Sequence, residues 1–199
     1  MSEAAEKVDI VRLETSDKSF IRGVEDIEVT THDIFVFDRN EGIFRFDRQG
    51  KFLNKVGKKG EGPEEMLSAE TFQFNSPDSI YALDANKMQI SRWAVSAENY
   101  SATRQEVIQL DKSLVRSLDF YATDSCFLIP DYLGEHRYWQ VDYSGKPIKS
   151  IGKIPSETDL TQEIRPALAQ AWRSFIDYNP HNGIFAMVTQ LGESIEIYN

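Results

Sequence analysis

Ile34-Phe35-Val36-Phe37-Asp38 is an apolar strand that stops on an aspartate, and the chain repeats it. Ile80-Tyr81-Ala82-Leu83-Asp84 and Cys126-Phe127-Leu128-Ile129-Pro130-Asp131 follow, then, without the acid, Ile184-Phe185-Ala186-Met187-Val188. The first residues of these runs lie 46, 46 and 58 positions apart. Short strands that recur every ~40 to 50 residues are the signature of a β-propeller, whose blades are four-stranded antiparallel sheets. The spacing predicts an all-β chain in a single domain over 1–199, with repeats at about 24–57, 70–110, 116–152 and 175–199.

Within each repeat the pattern reads strand a, turn, strand b, polar loop, strand c, hairpin, strand d. Repeat one sets strand a at about Asp26 to Thr30, and Asp47-Arg48-Gln49-Gly50 as the hairpin between Ile43-Phe44-Arg45-Phe46 and Lys51 to Val56. A short connection ending in Gly between two alternating runs is a hairpin signal. Repeat three places strand a at Leu118-Asp119-Phe120, and repeat four at Phe175 to Tyr178. The longer interval before the last repeat locates an insertion at 156–174. There Leu160, Ile164, Leu168 and Trp172 recur every four residues, so a helix with one apolar face is expected, and Pro166 marks a break or a fresh start within it. Val8 to Leu13 alternates and is expected to act as an outer strand beside Ser194 to Tyr198.

Composition narrows the function. Hydrophobic residues make up 41% and charged residues 27% of 199, as in an ordinary folded domain. A net charge of −10 repels polyanions, so no nucleic-acid partner is expected. No window approaches the ~18 apolar residues of a membrane helix, and Met1 to Lys7 lacks the apolar region of a secretory signal. Cys126 is the single cysteine and opens an apolar strand, which reads as a buried hydrophobe.

Two stretches carry more than a period. They are Val11-Arg12-Leu13-Glu14-Thr15 and Asp47-Arg48-Gln49-Gly50-Lys51-Phe52 with its continuation Gly57-Lys58-Lys59-Gly60-Glu61-Gly62-Pro63-Glu64. Together they resemble a six-bladed β-propeller family of bacterial cell-envelope proteins, often lipoproteins, related to NHL-repeat and TolB-like propellers. The resemblance implies the N-terminal part of such a propeller, either an open arc of a six-bladed parent or a closed four-bladed ring. It also implies a periplasmic or outer-membrane-associated location. Repeat two departs from the pattern, with Ser96-Ala97-Glu98-Asn99 where the Asp-x-x-Gly hairpin stands elsewhere.

Two groups of polar residues are candidate sites. Strand-b ends and the loops after them share one face of a propeller, which collects Asp38, Asn40, Asp84, Asn86 and Asp131 as ligand-binding candidates. Short polar side chains at strand ends also cap backbone, which is their structural alternative. Strand a lines the channel of a propeller, and there Asp26, Glu28, Gln73, Asp119 and Asp177 are the candidates. No catalytic or metal-ligating set is expected, since no loop alone offers the six to eight oxygens a hard cation takes, though calcium at such a carboxylate set stays open. The glycines of 57–63 read as a crossover needing positive φ rather than a phosphate cradle, because Glu64-Glu65 follow. His32 and His181 fall in turns on the opposite face, and Trp93 and Trp139 on strand c are expected to pack between blades. A noncatalytic module binding a protein or small polar ligand is the reading these residues favour. A metal-dependent propeller hydrolase or lactonase and a glycan-binding module are the alternatives.

Overall fold

The computed structural model describes residues 10–62, 64–155, 161–179, 181–191 and 193–198. It contains four antiparallel sheets in sequence order. Sheet one is β1 (Asp26–Val29), β2 (Asp33–Asp38), β3 (Gly42–Asp47) and β4 (Phe52–Val56). Sheet two is β5 (Ala69–Ser76), β6 (Ser79–Asp84), β7 (Gln89–Val95) and β8 (Ala102–Gln109). Sheet three is β9 (Tyr121–Ala122), β10 (Phe127–Pro130), β11 (Tyr138–Val141) and β12 (Pro147–Ile151). Sheet four has three strands among the described residues, β13 (Ser174–Asn179), β14 (Ile184–Thr189) and β15 (Ile195–Tyr198).

The fold is a β-propeller of four blades about one axis. Successive residues of a strand point to opposite faces, so continuous apolar runs give each sheet two apolar faces, and each junction between consecutive sheets buries one face of each neighbour. Phe35, Phe37, Ile43 and Val56 of sheet one pack on Phe72, Ile80, Ala82 and Trp93 of sheet two. Tyr81, Leu83, Ile90 and Ile108 of sheet two pack on Ala122, Phe127, Ile129 and Val141 of sheet three. Cys126, Leu128 and Tyr138 of sheet three meet Phe185 and Met187 of sheet four. Cys126 and Trp93 are thus interior packing residues, as their apolar settings in the sequence predict. Between sheets four and one the described residues form no shared cluster, and that junction is a seam.

Buried cations stitch two of the junctions. Arg45 sits in the middle of β3 and is buried. Its Nε and Nη2 donate to Asp33 Oδ2 at 3.0 and 2.5 Å, and Nη2 also donates to the Ser96 carbonyl of sheet two at 2.8 Å. Buried Arg137 donates to Glu196 Oε2 at 3.1 Å and Ser174 Oγ at 2.6 Å, and to the Trp172 carbonyl, joining sheets three and four.

The Asp-x-x-Gly hairpins form as read. Asp47 Oδ1 accepts from the N–H of Gln49 and Lys51 at 2.9 and 2.8 Å, and Asp142 Oδ1 accepts from Ser144 and Lys146 at 2.9 and 3.0 Å. In the crossover after β4, Gly57 adopts φ 59°, and a Cβ there would lie 2.6 Å from Met66 Cε. Met66 fills the junction between sheets one and two, which explains the glycine.

Three expectations are corrected. Residues 10–13 are not a strand beside β15. They lie against the β3–β4 turn, where Glu14 N–H donates to the Gly50 carbonyl at 2.7 Å, and Leu13 and Ile21 cover Val36, Phe44 and Phe46. Val8 and Asp9 fall outside the described residues. The contact repeats one in sheet three, where Asp111 N–H donates to the Gly145 carbonyl at 2.9 Å. Leu13-Glu14 therefore stands to sheet one as Leu110-Asp111, from the end of sheet two, stands to sheet three. The apolar surface of sheet one, not the edge of sheet four, captures the segment.

In sheet three the inner strand begins at Tyr121 rather than Leu118. Asp119 precedes it and lines the central cavity, its Oδ1 accepting from the N–H of Phe120 at 2.9 Å. In the insertion, the helix α1 spans Arg165–Ala171 with Pro166 in its first turn, so the fresh start holds. Its buried residue is Ala169, while Ile164 is exposed and Leu160 lies outside the described residues. The stripe packs only in its second half: Leu168 and Trp172 are half-buried, with Arg137 over the Trp172 ring, while Ile164 precedes the helix.

Candidate functional site

The first strands of the blades converge. Register fixes which residues they present: Asp26 pairs with Phe37, Thr71 with Leu83, Tyr121 with Leu128 and Phe175 with Val188. Asp26, Glu28, Thr71, Gln73, Asp119, Tyr121 and Phe175, each from the first strand of its sheet or the residues leading into it, all line one cavity on the axis, of about 260 Å³. Phe72, Phe120, Leu128 and Ile176 complete a wall that is part apolar.

Four of the five channel candidates line this cavity, and they differ in what they are free to do. Gln73 is spent on structure: its Oε1 accepts from Ala122 N–H at 2.8 Å and its Nε2 donates to the Ala122 carbonyl at 3.4 Å, tying sheet two to sheet three. Among the described residues Asp26 accepts only from the N–H of its neighbour Ile27, at 2.8 Å. Glu28 makes no hydrogen bond among the described residues. Burial pushes its carboxyl above the usual range, and the nearby negative charge of Asp26 adds to the effect. Asp119 is likewise pushed up by burial and then by Asp26, against the lowering effect of Arg173, which stands 3.9 Å away. Its side chain remains 34% exposed, and it lines the cavity. Asp177 does not line the cavity. It pairs with Ala186, which pairs with Ile197, on the face of sheet four that opens to the seam.

The carboxylates on the loop face do something else. Asp38, Asp84 and Asp131 are all buried. Asp38 accepts from the N–H groups of Arg22, Gly23 and Asn40 at 2.7, 3.0 and 2.8 Å. Asp84 accepts from Leu67, Ser68 and Lys87 at 2.7, 3.3 and 3.1 Å. Asp131 accepts from Leu133, Glu135 and His136 at 2.9, 3.2 and 2.9 Å. Each carboxylate gathers backbone donors from its own loop, and those of Asp38 and Asp84 also hold the chain segment that enters the sheet. Burial works to raise Asp38, but these bonds together hold it below the usual carboxylate range. Asn40 and Asn86 are exposed at the loop tips.

Among the described residues no group of three or more His, Cys, Asp or Glu side chains is placed to hold a metal ion. His32 and His181 are exposed in turns, on the far side from the Asp38 and Asp84 loops. Glu65 closes the glycine loop itself, accepting from Gly62 N–H at 2.9 Å and pairing with Lys58 at 3.0 Å, which leaves no anion cradle there.

Four blades about an axis, with inner strands lining an acidic cavity, define a β-propeller. The chain belongs to the TolB-like 6-blade propeller-like family, whose profile matches residues 43–199. Among solved structures it is similar to a protein from Bacteroides fragilis described as exported, with a TM-score of 0.69 at 16% identity over 97% of this chain and 52% of that one. It is similar also to a DUF4221-family member from Bacteroides vulgatus (TM-score 0.54, 11% identity, 94% of this chain and 60% of that). A protein from Bacteroides uniformis described as a 6-phosphogluconolactonase gives a TM-score of 0.53 at 14% identity, over 86% of this chain and 51% of that. The chain thus spans roughly half the length of these structures, and the likenesses establish fold. No curated protein matches it by sequence. Among the described residues no helix is long and apolar enough to cross a membrane.

Proposed function

We propose that this propeller is a noncatalytic binding module of the bacterial cell envelope that takes a small polar ligand in its central cavity. The location rests on family and on similarity to a protein described as exported. The ligand site rests on one observation: at the cavity Asp26 and Asp119 each accept from a single adjacent N–H and Glu28 makes no hydrogen bond among the described residues, whereas Asp38, Asp84 and Asp131 each accept from three N–H groups. Carboxylates held in a half-apolar cavity, with Arg173 as a partial counter-charge, favour a ligand that brings hydrogen-bond donors or positive charge. The aromatic wall suits an organic body rather than a bare ion. This reading moves the site from the loop face to the axis.

The test is a thermal-shift screen with calcium chloride, short diamines and neutral sugars, followed by calorimetry on any hit. A hit that stabilises the wild-type chain and is lost in Glu28→Gln and Asp119→Asn, while Asn40→Ala and Asn86→Ala bind normally, supports the axial site. A hit retained by the first pair and lost in the second returns the site to the loops.

A further inference from the structure

Two junctions of the propeller differ on the side of the β1–β2 turn. Between sheets two and three, Tyr143 stands two residues after Val141, the partner of Phe127. Its ring packs on Tyr81 and Phe127, and its hydroxyl donates to the Thr123 carbonyl. Between sheets one and two the same register position, two residues after Trp93, the partner of Ile80, holds the shorter Val95. A pocket of about 340 Å³ opens there, between turn 30–33 of sheet one and hairpin residues 95–97 of sheet two. That volume is in the range of small-molecule sites. All its lining residues come from these two sheets, which are packed on each other, and none of them lines the axial cavity.

The pocket is lined by a buried ion pair with one oxygen to spare. Asp33 and Arg45 line it and are 4% and 0% exposed. Arg45 donates twice to Asp33 Oδ2, while Asp33 Oδ1 accepts no hydrogen bond among the described residues. A buried carboxylate oxygen without a donor is a demand that a ligand O–H can meet. The pair is neutral as a whole. On the rim, Asp78 is opposed by Arg48, which donates to the Thr30 carbonyl at 3.3 Å. A ligand without net charge therefore fits best, since a charged one would lose its hydration for no matching partner. Thr31 and His32 are exposed on the rim and their side chains make no hydrogen bond among the described residues, so each is able to donate or accept. Pro77, Val95 and Ala97 add an apolar wall. We propose that this pocket binds a neutral sugar. One hydroxyl donates to Asp33 Oδ1, others meet Thr31 and His32, and the C–H face of the ring lies on the apolar wall.

Amide NMR of the 199-residue chain tests this, with glucose, galactose, N-acetylglucosamine and maltose as probes and putrescine and acetate as charged controls. At least one sugar should shift the amides of Thr31, His32 and Ala97. Ala97→Phe and Thr31→Trp fill the pocket from opposite rims at exposed positions. Each should weaken that sugar at least about tenfold, with circular dichroism unchanged. Asp33 is left intact, because its removal strands the buried charge of Arg45. Glu28→Gln at the axial cavity should leave the affinity as it is, which separates this site from that one. The proposal is overturned if no sugar shifts these amides, or if putrescine or acetate shifts them more strongly than any sugar. Binding that survives either folded blocking variant, or that is lost in Glu28→Gln, overturns it equally.

Discussion

The loop-end acids and the channel acids are the same residue types on the same repeat, yet they live under opposite physics. Asp84, at the end of β6, accepts from three backbone N–H groups and is 0% exposed, out of reach of a ligand. Asp119 and Glu28, on the axis, are short of donors and crowded by like charge. The first set stabilises the fold; the second is held at some cost to it. Sites in folded proteins are recognised by such unmet demand rather than by residue type.

The contrast can be broken most sharply at Asp84. Asp84→Ala strands three N–H groups in a buried setting and should lower stability by about 3 kcal/mol in urea unfolding. A loss under ~1 kcal/mol would return Asp84 to the pool of ligand candidates. Asp38→Asn should cost about 2 kcal/mol at neutral pH, since an amide accepts fewer of the same bonds. It also changes the acid limb. The folded-state carboxyl of Asp38 is held below its unfolded value, so its contribution is present above the unfolded pKa and lost as pH falls through the folded one. The variant should therefore lose less stability than the wild type on acidification, which melting curves across the acid range will show.

Asp119→Asn is the smallest expected effect and has the opposite sign. The folded-state carboxyl is raised, so its ionised form disfavours the fold at neutral pH, and that penalty fades as pH falls through the raised value. The amide should leave stability within about 0.5 kcal/mol of wild type or slightly above it at neutral pH. The gain should vanish in acid.

Much of this was legible from the residues. The b-strand runs placed β2, β6, β10 and β14, because a buried strand with apolar residues on both faces is a continuous apolar run bounded by turn formers. The channel set was legible as a list: four of its five members line the cavity, because strand order alone sends first strands inward. What the list could not show was orientation and supply of donors. Nothing in the sequence distinguishes Gln73, tied to Ala122, from Glu28, which is not. The loop aspartates announced capping as clearly as binding, and only the donor count separates the two. Arg45 and Arg137 went unread as junction stitches, although an arginine between Phe44 and Phe46 in an apolar strand is a signal of a buried pair.

The most direct measurement is a carboxyl-carbon NMR titration of the folded chain, with Asp38, Glu28 and Asp119 assigned. Asp38 should titrate below the usual range for its residue type, and Glu28 and Asp119 above theirs. If Asp38 titrated above Asp119, the division between backbone-saturated and available carboxylates would be wrong.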